Sequence, residues 1–177
     1  MGWKKFQLTR IFSYARVNTL GVTTMKRFIV TTILTVVIAG VLAHFMPRSF
    51  EYYLPEFGAD ATVSIYCRGT ELDGVDMGGA YKVTCNAQAF RKTATQCHGI
   101  DGVSVSFAGS LDDVYALAKF FRLKSPQAFE QDGLYVVCGK SSKIRSGVLD
   151  GGKLVNLQIA YKDSTVHLGS PLILGDY

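Results

Sequence analysis

Lys153–Tyr161 reads KLVNLQIAY, and Thr165–Leu174, beyond a turn at Asp163-Ser164, reads TVHLGSPLIL. In the first segment Val155, Leu157, Ile159 and Tyr161 fall at every second position, and in the second Val166 and Leu168 do the same. Successive side chains of a strand point to opposite faces, so a period of two predicts paired strands with one buried face. Asn156, Gln158 and Ala160 are assigned to the other face. Asp150-Gly151-Gly152 is a hairpin signal, with Lys143–Leu149 as the strand before it. Gly169 and Pro171 suit an edge strand or a bulge.

Upstream the same alternation recurs. Ala61–Arg68 turns Val63, Ile65 and Cys67 inward, Ala80–Cys85 turns Tyr81, Val83 and Cys85 inward, and Gly102–Ala108 does so with Val103, Val105 and Phe107. Gly133–Cys138 is a further strand. Two segments have helical spacing instead. Asn86 caps a helix running to His98, with Ala87, Phe90, Ala94 and Cys97 as its inner stripe and Gly99 at its end. Ser110-Leu111-Asp112-Asp113 opens the second helix, whose buried face is Leu111, Val114, Leu117, Ala118 and Phe121. A short linker around Pro126 follows. The predicted fold class is α+β: a mostly antiparallel sheet with two helices on one face, in the order β-β-α-β-α-β-β-β-β.

Ahead of this domain lies Phe28–Met46, FIVTTILTVVIAGVLAHFM, 19 residues without a formal charge between Lys26-Arg27 and Pro47. As a helix it spans roughly 28 Å, close to a hydrocarbon core of ~30 Å. Two readings stand. The stretch is a retained transmembrane anchor, or it is the h-region of a signal peptide starting at Met25 and cleaved near Ala43 in Val41-Leu42-Ala43. Lys4, Lys5, Arg10, Arg16, Lys26 and Arg27 precede or enter the stretch with no acid among them, which places the N-terminus in the cytoplasm. The predicted organisation is a basic leader at 1–27, the apolar segment at 28–46, an aromatic linker at 47–60 and an exported domain at 61–177. In the linker Phe50, Tyr52, Tyr53 and Phe57 suit an interfacial aromatic belt or a first piece of the core.

The full chain carries 19 Lys+Arg and 14 Asp+Glu, a net charge of +5. The basic excess belongs to the leader, because residues 51–177 hold 12 basic and 14 acidic residues. A mildly acidic domain lacks the electrostatic footprint of a nucleic-acid binder, so no nucleic-acid partner is expected.

One resemblance can be named. Val155-Asn156-Leu157-Gln158-Ile159-Ala160, a short turn, Leu168-Gly169-Ser170-Pro171-Leu172-Ile173 and the terminal Asp176-Tyr177 resemble the tail of the YwmB family. Those are exported proteins of spore-forming bacteria with a TATA-binding-protein-like fold. The resemblance covers about a fifth of the folded domain and implies export and a curved antiparallel sheet. It implies no activity.

Chemistry is sparse. Cys67, Cys85, Cys97 and Cys138 lie in the exported domain, where disulfides are permitted. A helix between Cys85 and Cys97 would separate them by about 18 Å, beyond the ~7 Å limit for a bridge. The pairs 67–85 and 97–138 remain, against the alternative of four small buried hydrophobes. Neither His98 nor His167 belongs to a nucleophile motif, and His167 is expected to face solvent. Asp112-Asp113 fits helix-dipole stabilisation better than acid–base work. Glu71, Asp73 and Asp76 lie in the Gly-rich loop GTELDGVDMGG, the first choice for a binding loop. No catalytic residue, metal or cofactor is expected. The functional expectation is a membrane-tethered extracytoplasmic binding domain of the cell envelope, held by Phe28–Met46, with an envelope protein or wall component as partner. The competing classes are an envelope enzyme, thiol-dependent or hydrolytic, and an assembly subunit pairing through an edge strand.

Overall fold

The computed structural model describes residues 28–43 and 46–174. The chain divides into two compact units, Met1–Met46 and Pro47–Tyr177. In the first, residues 28–43 form helix α1. Its threonines bond within the helix: the Thr32 hydroxyl donates to Phe28 O and the Thr35 hydroxyl to Thr31 O, each at 2.9 Å. Among the described residues no helix is long and apolar enough to cross a membrane. The basic leader 1–27 and His44–Phe45 lie outside the described residues.

The second unit is α+β with a mostly antiparallel sheet and few helices. It begins with a 3-10 helix, η1 (Phe50–Phe57), then β1 (Thr62–Thr70), β2 (Val75–Asp76), β3 (Tyr81–Asn86), α2 (Phe90–Ala94), β4 (Cys97–Ala108) and α3 (Leu111–Phe120). There follow β5 (Leu123–Gln131), β6 (Leu134–Ser141), β7 (Val148–Asp150), β8 (Lys153–Val155), β9 (Leu157–Lys162) and β10 (Thr165–Ser170). Eight strands form one sheet in the order β2-β3-β1-β4-β10-β9-β6-β5, and β7 pairs with β8 separately. The first four strands of the large sheet come from one half of the unit and β9-β6-β5 from the other. β10 is antiparallel to both β4 and β9, and so joins them.

The alternation read from the sequence places the core. Val63, Ile65 and Cys67 of β1, Val103 and Val105 of β4, Leu157 and Ile159 of β9, and Val166 and Leu168 of β10 are all buried in one cluster. Val114 of α3, Phe121 beyond it and Phe90 of α2 enter the same cluster. The start of α3 follows its capping signal. Asp113 Oδ2 accepts from Ser110 N at 2.7 Å and from the Ser110 hydroxyl at 2.9 Å.

Several expectations need correction. The stretch read as an aromatic linker is η1, which buries Phe50, Tyr53 and Leu54 in the core; Pro55 is tolerated inside this short 3-10 turn. Asn86 does cap, with Oδ1 accepting from Ala89 N at 2.8 Å, but the helix it opens ends at Ala94. Cys97 and His98 are already in β4, paired with Thr70 and Gly69 of β1. Gly99, expected as a helix stop, has φ +65° within that strand. Sheet pairing outweighs a weak helical preference there.

The segment read as a helix end and a linker is β5. Pairing passes from Lys124↔Lys140 directly to Gln127↔Cys138, so Ser125-Pro126 forms a bulge on the outermost strand. Proline is tolerated on such an edge because it removes no ladder hydrogen bond there. Lys153–Tyr161 is two strands rather than one, broken at Asn156, which is 1% exposed instead of facing out. β10 ends at Ser170 and lies inside the sheet, so Gly169 is not on an edge strand; among the described residues the edges of the large sheet are β2 and β5. Leu172–Ile173 instead double back over Gly169, where a Cβ would stand 2.8 Å from Ile173 N and from Leu172 O. Gln158 Oε1 accepts from Ile173 N at 3.1 Å and fixes this return.

Candidate functional site: a lysine-lined cleft at the sheet edge

The bulge of β5 builds the most distinctive surface feature. Gly139 on β6 makes it possible: a Cβ there would meet Lys124 O at 3.1 Å and the Leu123 side chain at 3.3 Å. Without that side chain the bulged strand lies close on β6. The β7–β8 hairpin follows, turned by Gly151 (φ +53°) and Gly152 (φ +78°) as the Asp-Gly-Gly signal requires.

Between hairpin and sheet edge lies a cleft of about 360 Å³ lined by Lys124, Gln127, Cys138, Lys140, Lys153 and Leu154, with Gly139 and Val155 at its base. That size is within the range of small-ligand sites, roughly 300–1,000 Å³. Lys124 and Lys140 stand directly opposite one another across β5 and β6. Like charges so placed cost about 0.2–1 kcal/mol relative to neutral pairs. Lys153 adds a third ammonium, and its cross-strand neighbour Asp150 is the acid beside the cleft. Leu154, which lines the cleft, pairs with Leu149 of β7, itself 76% exposed. Burial, with Asp150 adding, pushes the Cys138 thiol above its usual range, which keeps it protonated and a poor nucleophile. The cleft therefore carries a local excess of positive charge, three lysines against the neighbouring Asp150.

The residues expected from the sequence lie elsewhere. Glu71, Asp73 and Asp76 are exposed in the segment between β1 and β3. Asp76 Oδ1 accepts from Gly78 N at 2.8 Å, a local turn. Glu71 Oε1 is 3.9 Å from His98 Nε2, with the two side chains 70% and 69% exposed. Among the described residues no group of three or more His, Cys, Asp or Glu is placed to hold a metal ion.

The four cysteines are free thiols. Cys67 pairs with Tyr81 and Cys85 with Val63, so Cys67 and Cys85 are four residues out of register. That is about 13 Å along the strands, which excludes the expected 67–85 bridge. Cys97 of β4 and Cys138 of β6 are separated by β10 and β9, about 14 Å of sheet, which excludes 97–138. Cys97 donates to Thr93 O at 3.4 Å, and burial together with Cys97 pushes the Cys67 thiol up.

His167, expected in solvent, is half-buried. Burial, and then the nearby Lys82, push its imidazole below the usual range. It pairs across the sheet with Ser106 and Ala160.

No family model, curated protein or solved structure matches the chain.

Sequence reasoning missed the cleft because its three lysines come from β5, β6 and β8 and meet only through the register. Asp132-Gly133, a two-residue hairpin signal with φ +50° and +77°, was the available clue that a strand precedes β6.

Proposed function

We propose that the chain is a membrane-tethered binding domain of the cell envelope, and that it takes an anionic ligand in the cleft between β5–β6 and the β7–β8 hairpin. The observation that carries the reading is Lys124 opposite Lys140 with Lys153 on the same cleft. A like-charge pair costs stability on its own and is offset when an anion bridges it. The domain's overall acidity does not oppose this, since attraction is set by the local charges within a Debye length of about 8 Å. The address outside the cytoplasmic membrane is supported by Phe28–Met46, by the basic residues before it and by the resemblance to exported proteins. An anionic wall polymer is the partner class that this address and this charge share.

The test is calorimetric titration of the purified full chain in detergent with inorganic polyphosphate at several salt concentrations. Binding that weakens with salt and is lost in Lys124→Ala/Lys140→Ala supports the reading. Binding that survives the double substitution, or no binding at low salt, removes the cleft as the receptor.

A further inference from the structure

The second unit is held by hydrogen bonds from its first residues. Arg48 N donates to Lys143 O at 2.7 Å, Arg145 N donates to Arg48 O at 3.1 Å, and the Arg145 side chain bonds Pro47 O. The chain is thus clamped against residues 143–145 at the second residue after Met46. From Met46 to Arg48 the backbone reaches at most about 7.6 Å.

The surface around the clamp has a defined chemistry. The Arg48 guanidinium lies 4.2 Å from the Tyr52 ring centre, and Lys143 Nζ lies 3.5 Å from that of Phe120. Tyr53 links the two, with ring centres 5.2 Å from Tyr52 and 6.0 Å from Phe120. Tyr52 and Phe120 are 53% and 41% exposed. Arg122 is a further cation near Lys143, and Glu56 on η1 is the acid that partly balances them. Aromatic rings with cations over them suit the interface between hydrocarbon and water, where anionic headgroups meet the charge and the rings remain half-buried.

We infer that the patch Arg48, Tyr52, Phe120, Lys143 and Arg145 rests in the headgroup layer of an anionic phospholipid surface. The inference rests on the reading of Phe28–Met46 as a retained span. If that span ends at the hydrocarbon boundary, the headgroup zone beyond it is about 5–7 Å deep on each side, and the clamp falls within or at the edge of it. It also revises the aromatic belt: Phe50 and Tyr53 belong to the core, and the lipid-facing rings are Tyr52 and Phe120.

The test uses the full chain in vesicles of phosphatidylglycerol and phosphatidylcholine, with its one tryptophan removed as Trp3→Phe. A new tryptophan is placed by Phe120→Trp, or as a control by Val75→Trp on β2 at the other edge of the sheet. Lipids spin-labelled at the headgroup quench nearby tryptophan, and alkaline carbonate extraction reports integration. The expected result is an integrated chain with strong quenching at position 120 and little at position 75. Lys143→Glu/Arg145→Glu should reduce quenching at position 120 when phosphatidylglycerol is present. An integrated chain whose tryptophan at 120 is unquenched overturns the lipid contact alone and assigns the patch to a protein partner. A chain released by carbonate and unquenched overturns the span reading as well.

Discussion

Asn156 holds Ser141 through both ends of its amide: Oδ1 accepts from Ser141 N, and Nδ2 donates to Ser141 O at 3.0 Å and to Ile144 O at 2.9 Å. The Ser141 hydroxyl in turn donates to Phe121 O at 2.6 Å, so this buried network joins the break between β8 and β9 to the end of α3. Asn156→Leu would fit the apolar surroundings yet leave several buried groups unpaired. Each costs about 1–3 kcal/mol, so a loss of about 3 kcal/mol or more is expected in urea unfolding. A loss below about 1 kcal/mol would show that the amide is not what holds the junction.

Lys124→Ala should do two opposite things. Removing one member of the like-charge pair raises stability by about 0.2–1 kcal/mol without ligand. It should also abolish the stabilisation that added polyphosphate gives the wild-type chain. Unfolding curves with and without polyphosphate measure both effects, and a variant that is less stable and still protected would contradict the role given to the pair.

Gly169→Ala tests the return of the chain over β10. The new methyl would meet Ile173 N and Leu172 O at 2.8 Å, and backbone cannot yield as a flexible side chain does. The expected outcome is displacement of 171–174, with a stability loss of about 1–3 kcal/mol and faster proteolysis of the tail. Unchanged proteolysis would mean that the segment accommodates the methyl group.

The thiols set a pH dependence. Cys67, Cys85 and Cys138 all have pKa values raised chiefly by burial, so the folded protein keeps protons that the unfolded chain gives up. Their contribution is complete below the ordinary thiol pKa, about 8.5, and is lost as pH rises through the folded values. Cys67→Ala should flatten the alkaline decline in stability. A thiol reagent should react slowly with the native protein and with all four cysteines after denaturation.

The sequence announced the inward faces well, because burial on one side of a strand leaves a period-two pattern. Val63, Ile65, Leu157, Ile159, Val166 and Leu168 are all buried as their spacing implied. It concealed the elements whose patterns are set by position rather than burial. β5 is an exposed edge strand, so its apolar residues do not alternate, and Pro126 imitates a linker. Asn156 looked like an outward polar residue because its satisfaction depends on Ser141 and Ile144, 15 and 12 positions away. The cleft was hidden for the same reason. Its charges converge through register, which depends on the whole sheet.

The central position of β10 bears on biosynthesis. Until Thr165–Ser170 is in place, the other strands of the large sheet can form only β2-β3-β1-β4 and β9-β6-β5, each with an unpaired inner edge. Closing the sheet must wait for the last strand. Before that step those edges are open to wrong pairing, so anything that shields β4 and β9 from other chains would raise the yield of folded protein.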